Sequence, residues 1–346
     1  MRFGVIVDDH KAEIHEHPIP ELSDNQVLIK NKVCNLCTTD YQQWMGLRPH
    51  QKKPMAFGHE NAGIVHSVGK NVKNVKVGDS VVTNIYQPCM ECENCRKDKN
   101  SMLCLHSEIK VLKMDEFGYY GSYGCSEYKV ADSKYVFKVD SSLPFEQMAF
   151  CEPLATVAHG IKQLNIKPAE KVLVIGAGTM GMLNACLSKL YGAFVIISDI
   201  SNIKLKNANA MGFDKVINPI EEDYIKRINE LTNGTGVDTV IIAVGASSAY
   251  KQALDVSGLG GKLLIFAAGY PKPEWDLDPN LVHYKFLNIV GTYGCSPSDF
   301  QYATELLGNG YINVERLIQA RYPLDDIQNA FEAASQKDAY RVSVIL

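Results

Sequence analysis

A chain of 346 residues with a formal net charge of −4 and 46% hydrophobic residues exceeds the size at which one hydrophobic core usually keeps growing, so two domains are the default. The charge is mild and no long run of one sign occurs, which argues against a dedicated nucleic-acid or membrane-surface protein. The start, "MRFGVIVDDH", has only five apolar residues before two aspartates, unlike a secretory signal. No stretch approaches the roughly 18 apolar residues of a membrane span, and a cytoplasmic location is expected.

Up to about residue 140 the pattern is of short strands broken by turn residues: "QVLIKNKVC", "NAGIVHSVG", "VKVGDSVVTNIY" and "CSEYKVADSKYVFKV" predict a β-rich half. Within it, "VCNLCTTDYQQW" and "MAFGHENAGIVHSVG" carry Cys37, His59 and Glu60. A thiolate, an imidazole and carboxylates are the ligand types of a catalytic zinc that keeps one position open or exchangeable. Next comes "PCMECENCRKDKNSMLC", with Cys89, Cys92, Cys95 and Cys104. In a compartment where structural disulfides are rare, four closely spaced thiolates are expected to close a tetrahedral structural zinc site.

From about 151 the texture changes. "AFCEPLATVAHG" supplies Glu152, and six apolar runs follow with helical periods between them: "KVLVIG", "AFVIISD", "KVIN", "VDTVIIAVG", "GKLLIFAAG" and "LNIVGTYG". They predict a doubly wound parallel sheet. In "KVLVIGAGTMGMLNACLSKLYGA" the glycines Gly176, Gly178 and Gly181, with Thr179 and Met180 between the last two, follow a strand and open a helix. That is the context in which such a loop cradles a dinucleotide pyrophosphate. The next strand ends at Asp199, placed to bond the adenosine ribose hydroxyls and to repel a 2′-phosphate. NAD is therefore the expected coenzyme, with Lys204 a few residues on. Past about 296, "SDFQYATELLGNG" and "LDDIQNAFEAASQ" read as helices and "YRVSVIL" as a final strand that rejoins the first domain. Cys34, Cys125, Cys151, Cys186 and Cys295 read as packing residues, Cys151 with a weak alternative as a ligand.

Taken in order, "CTTD", "GHE", the cysteine lobe, "CEPLA", "GAGTMG" and the Asp199 strand resemble the zinc-dependent medium-chain alcohol dehydrogenases, nearest the sorbitol (polyol) and threonine dehydrogenase branch. The resemblance runs over essentially the whole length. It implies an α/β fold: a GroES-like β-rich catalytic domain over 1–150 and 296–346 with a zinc lobe at about 88–105, and a Rossmann domain over 151–295. It implies that Cys37, His59, Glu60 and Glu152 surround the catalytic zinc, that Thr39 takes the alcohol proton, and that the assembly is a homodimer or homotetramer. The implied reaction passes a hydride between a secondary alcohol, a polyol or sugar-alcohol derivative, and NAD.

Three departures from the branch stand out. Gln42 occupies the place where a histidine commonly ends a proton relay. Eight residues separate Cys95 from Cys104, one more than usual, an excess that the polar "RKDKNSM" loop is expected to absorb. Tyr293 stands where polyol dehydrogenases often carry an arginine. Arg48, Lys52 and Lys53 raise a phosphorylated substrate as a variant, against the plainer role of a solvated basic turn. The alternatives to the main reading are an NADH-dependent carbonyl or sugar reductase working in reverse and a non-catalytic zinc and nucleotide binding regulator on the same fold.

Overall fold

The computed structural model describes residues 1–97, 103–106, 113–139 and 142–346. Residues 98–102 of the "RKDKNSM" loop lie outside this set. The chain divides into two compact units, one of Met1–Thr156 with Gly294–Leu346 and one of Val157–Tyr293. No helix among the described residues is long and apolar enough to cross a membrane.

The first unit is built on the strand Gln26–Asn35, whose residues are mostly buried apart from Gln26, Lys30 and Lys32. Branched and apolar residues along "QVLIKNKVC" suit the centre of a sheet, where both faces are covered. Glu60–Val68 runs antiparallel to it with Glu60 opposite Asn35. On its other side lies the last strand, Arg341–Ile345, with Ser343 opposite Asn35. This register is what brings Glu60 and Arg341 to the same end of the sheet, beside the segment that leads to Cys37. The Asn35 side chain ties its strand to the last strand and to helix Phe145–Met148: its amide oxygen accepts from the Ser343 hydroxyl at 2.7 Å and its amide nitrogen donates to the Glu146 carbonyl at 3.0 Å. Under this end pack Trp44, Phe57 and Phe331, with Trp44 stacked on Phe331 at 5.6 Å between centroids and Phe57 edge-on to it at 4.9 Å.

Two expected strands are shorter than the sequence pattern suggests. Of "VKVGDSVVTNIY" only Ser80–Thr83 is strand, because Gly78 turns the chain at φ +91°. "CSEYKVADSKYVFKV" splits into Tyr128–Asp132 and Val136–Lys138. The break comes where the Asp132 carboxylate accepts from the Lys134 amide and starts a single helical turn, a local bond that competes with the sheet ladder.

In the second unit the six strands, in chain order Lys171–Ile175, Phe194–Ser198, Lys215–Ile217, Val237–Ile242, Ser257–Ile265 and Asn288–Gly291, lie in the spatial order third, second, first, fourth, fifth, sixth. Every neighbouring pair is parallel. The order reverses beside Lys171–Ile175, and the glycine loop leaves the carboxyl end of that strand, where doubly wound sheets bind ligands. Gly176 has φ +105°. A β-carbon on Gly181 would lie 1.7 Å from the Gly176 carbonyl oxygen, whereas one on Gly178 would meet nothing within 4 Å. Gly181 is thus required for closing helix Thr179–Leu190 against the turn, and Gly178 keeps a space open outside it. Gly181→Ala should cost about 1–3 kcal/mol or more of stability through overpacking, and Gly178→Ala should cost little. Denaturant midpoints of the two variants check this, and equal midpoints would refute the assignment.

Candidate active site

Helix Thr38–Trp44 begins at Cys37, and the Asp40 carboxylate accepts from the Cys37 backbone N–H at 2.9 Å. Aspartate three residues into a helix is a familiar N-terminal device, and here it fixes the thiol at the helix entrance. The other Asp40 oxygen is 3.5 Å from His59 Nδ1. One buried carboxylate therefore orients both a thiol and an imidazole. Burial works against the charged form of His59, but Asp40 and then Cys37 outweigh it and hold the His59 pKa well above its ordinary value.

Glu60 is completely buried. Arg341 donates to both of its oxygens, Nε to Oε2 at 2.8 Å and Nη2 to Oε1 at 2.6 Å. The same Nη2 lies 3.6 Å from Cys37 Sγ. Burial opposes the Arg341 charge, and Glu60 with Cys37 more than compensates, so its pKa is raised. Ligand atoms of Cys37, His59 and Glu60 all fall within 4.8 Å of one another, a donor set that fits a zinc ion. Glu152, in the first turn of helix Cys151–Leu164, does not join that set. It is buried beside it, and burial first, then the Glu60 charge, push its carboxyl up to about 7 against the opposing pull of His59 and Arg341. Thr39 sits half-buried in the first turn after Cys37. Cys151 is enclosed, and burial raises its thiol pKa.

The lobe cysteines come together as four free thiols. Cys92 Sγ is 3.5 Å from Cys95 Sγ and 3.9 Å from Cys104 Sγ, and Cys89 Sγ is 4.0 Å from Cys95 Sγ. Tetrahedral zinc with Zn–S of about 2.3 Å requires sulfur separations of about 3.8 Å. Backbone amides already point at these sulfurs: Cys92 N–H donates to Cys89 at 3.3 Å, and Cys89 N–H to Cys104 at 3.2 Å. The amides of Cys95 and Leu105 draw Cys92 down to about 6, while burial and the neighbouring thiols push Cys95 up to about 12. Four thiolates cannot share this space without a cation among them.

At the nucleotide loop the Asp199 carboxylate accepts from the Ala177 amide at 2.7 Å and from the Ser201 amide at 2.8 Å. It therefore holds the loop to the end of the neighbouring strand while keeping its charge beside it. Ser201 caps helix Asn202–Ala210 by accepting from the Lys204 amide. Thr179 is buried at the start of its helix.

Sequence reasoning missed two participants. Asp40 carried a signal in its place three residues after the capping position. Arg341 carried a weaker one, a lone charged residue in the buried strand "RVSVI", whose partner only the sheet register reveals.

Comparison with known proteins shows the family. Residues 23–141 match the alcohol dehydrogenase GroES-like domain and residues 179–309 match the zinc-binding dehydrogenase model. An uncharacterized zinc-type alcohol dehydrogenase-like protein of Haemophilus influenzae is 32% identical over 91% of this chain and 89% of its own. The D-arabitol-phosphate dehydrogenase of Enterococcus avium is 30% identical over 94% of this chain and 91% of its own. Among solved structures, a zinc-binding dehydrogenase from Sinorhizobium meliloti bound to NADP superposes with a TM-score of 0.89 at 26% identity, covering 100% of this chain and 99% of that one. The chain belongs to the zinc-dependent medium-chain alcohol dehydrogenase family.

Proposed function

We propose that the protein oxidises a secondary alcohol of a polyol or sugar-alcohol derivative with NAD, with Met1–Thr156 and Gly294–Leu346 as the catalytic part and Val157–Tyr293 as the coenzyme part. The observation that carries this reading is the convergence of Cys37, His59 and Glu60 at the start of a helix whose first turn presents Thr39. Cys37, His59 and Glu60, with Glu152 beside them, would hold the catalytic zinc, and Cys89, Cys92, Cys95 and Cys104 the structural one. A bound zinc supplies Lewis-acid polarisation of the alcohol oxygen and a bound nicotinamide supplies the hydride acceptor.

The chain's own residues do the rest. Thr39 relays the alcohol proton: its hydroxyl oxygen accepts that proton while its own hydroxyl proton passes on toward solvent. Asp40 keeps the His59 ring in one orientation, as outer partners of metal-binding histidines do. Arg341 gives the Glu60 carboxylate a second place to rest, so that Glu60 can approach or leave the centre without becoming a naked buried charge. Gly176, Gly178 and Gly181 with the amides at the start of helix Thr179–Leu190 receive the coenzyme pyrophosphate. Asp199 bonds the adenosine ribose and disfavours a 2′-phosphate, with Lys204 alongside. A cytoplasmic location suits ten cysteines that are all free. A homodimer or homotetramer is supported by Leu259, Tyr284 and Phe286, each more than 70% exposed, near the sheet-edge strand Asn288–Gly291.

A panel of polyols with NAD, followed by nicotinamide absorbance, tests the reading directly; no turnover with any of them would remove it. Cys95→Ser should lower the zinc content by one ion per chain and reduce stability, while a variant with the parental zinc content would contradict the structural site. Asp199→Ala should weaken NAD use and narrow its margin over NADP. A parental enzyme that uses both coenzymes equally would contradict the role given to Asp199. Glu60→Gln strands the Arg341 charge and should cost about 3–5 kcal/mol. Combining it with Arg341→Met should recover most of that stability without restoring turnover, and a double variant as active as the parent would leave Glu60 with no part in the chemistry.

A further inference from the structure

The first unit contains a cleft of about 300 Å³ whose lining includes His17, Asn84, Ile85, Phe117 and Val130. It shares no lining residue with the Cys37 cluster or the glycine loop. Residues 84–87 on one side of it lead into Cys89, and residues 113–117 on the other follow Cys104, so the cleft lies between the two stems of the cysteine lobe. Met114 and Phe117 line it and remain exposed.

Two of its polar groups are unanswered. Asn84 is 1% exposed, and its side-chain oxygen accepts from the Tyr86 amide at 2.8 Å. That bond decides which end of the side chain is oxygen, so the remaining group, Nδ2, is a donor. It is enclosed and has no hydrogen-bond partner among the described residues. His17 Nδ1 lies 2.6 Å from the Pro18 carbonyl, which can only accept. Nδ1 therefore carries a proton, and Nε2 of the neutral ring is an acceptor. Nε2 is likewise enclosed with no partner among the described residues, while the ring is stacked on Phe117 at 4.2 Å between centroids. Other polar groups at the cleft are already engaged: Asp115 accepts from the Phe117 and Tyr119 amides and the Tyr123 hydroxyl, and Lys129 donates to Asn61 and Thr83.

Buried polar groups are rarely left unsatisfied, and a mostly apolar cleft with a few convergent polar groups is the usual form of a small-molecule site. An apolar cavity of about 150 Å³ holds benzene, so this one has room for an aromatic ring with a substituent of similar bulk. We infer that the cleft binds an uncharged aromatic molecule bearing a carbonyl and a hydroxyl group. The carbonyl oxygen accepts from Asn84 Nδ2, the hydroxyl donates to His17 Nε2, and the ring packs against Ile85, Val130 and Phe117. A neutral amide and a neutral imidazole ask for no charge on the ligand.

The test measures binding of methyl 4-hydroxybenzoate and methyl benzoate to the zinc-loaded protein by titration calorimetry. The parent should bind one molecule per chain and favour the hydroxylated ester by about tenfold. Asn84→Leu, close in volume but without a donor, should weaken both esters by about tenfold. His17→Phe keeps a ring against Phe117 and should weaken only the hydroxylated ester, to the level of methyl benzoate. A parent that binds neither ester, or both equally, overturns the inference. So does unchanged affinity in His17→Phe, which tests the site independently should Asn84→Leu fail to fold. Binding that survives Asn84→Leu and is lost on Cys37→Ser would place the ligand at the active centre and overturn it as well.

Discussion

The bidentate pair between Arg341 and Glu60 is almost entirely removed from water, and the cluster of Cys37, His59 and Glu60 is organised around it. Two buried charges of this kind hold together only while both are present, since removal of either leaves the other uncompensated. The pair joins the last strand of the chain to the strand that carries His59 and Glu60, with Gln26–Asn35 between them. The C-terminal strand is therefore a structural member of the site. Its arginine also reaches the Cys37 sulfur, so one guanidinium neutralises two of the anionic groups that a dication would otherwise have to offset alone.

The two clusters manage negative charge by different means. In the cysteine lobe, backbone amides donate to the sulfurs, and four thiolates around a zinc would leave no position for substrate. At the Cys37 centre the partners are side chains: Asp40 behind His59, and Arg341 behind Glu60. Side-chain partners can exchange while backbone amides are fixed, and this separates a centre suited to turnover from one suited to holding a loop closed. Glu152, buried beside this centre, has its carboxyl pushed up to about 7, by burial first and then by the Glu60 charge, against the pull of His59 and Arg341.

Gln42 lies three residues beyond Thr39 on the same helix, and its side-chain oxygen accepts from Arg48 Nε. Cys37, Thr39 and Gln42 are set by a single short helix whose first turn is fastened by Asp40, so the three side chains share one frame. Functional groups on such a frame keep their mutual geometry better than groups on separate loops.

The parallel sheet, the glycine loop with Asp199 and the clustering of the four lobe cysteines were legible in the amino-acid sequence, because each depends on short spacing or on a local period, whereas Cys37, His59 and Glu60 could be read as ligand types only in combination. A glycine where a β-carbon would strike a carbonyl, or a cysteine every third residue, is a local necessity that the chain must state locally. The partner of Glu60 was not legible. Arg341 is distant in sequence, and nothing near it announces a charge partner. Only the antiparallel register of three strands, which places Glu60 opposite Asn35 and Ser343 opposite Asn35 as well, brings them together. The shared duty of Asp40, the seat of Glu152 outside the three-ligand set and the aim of Arg48 at Gln42 were likewise decided by tertiary structure, because the energy of a buried charge depends on what surrounds it in space.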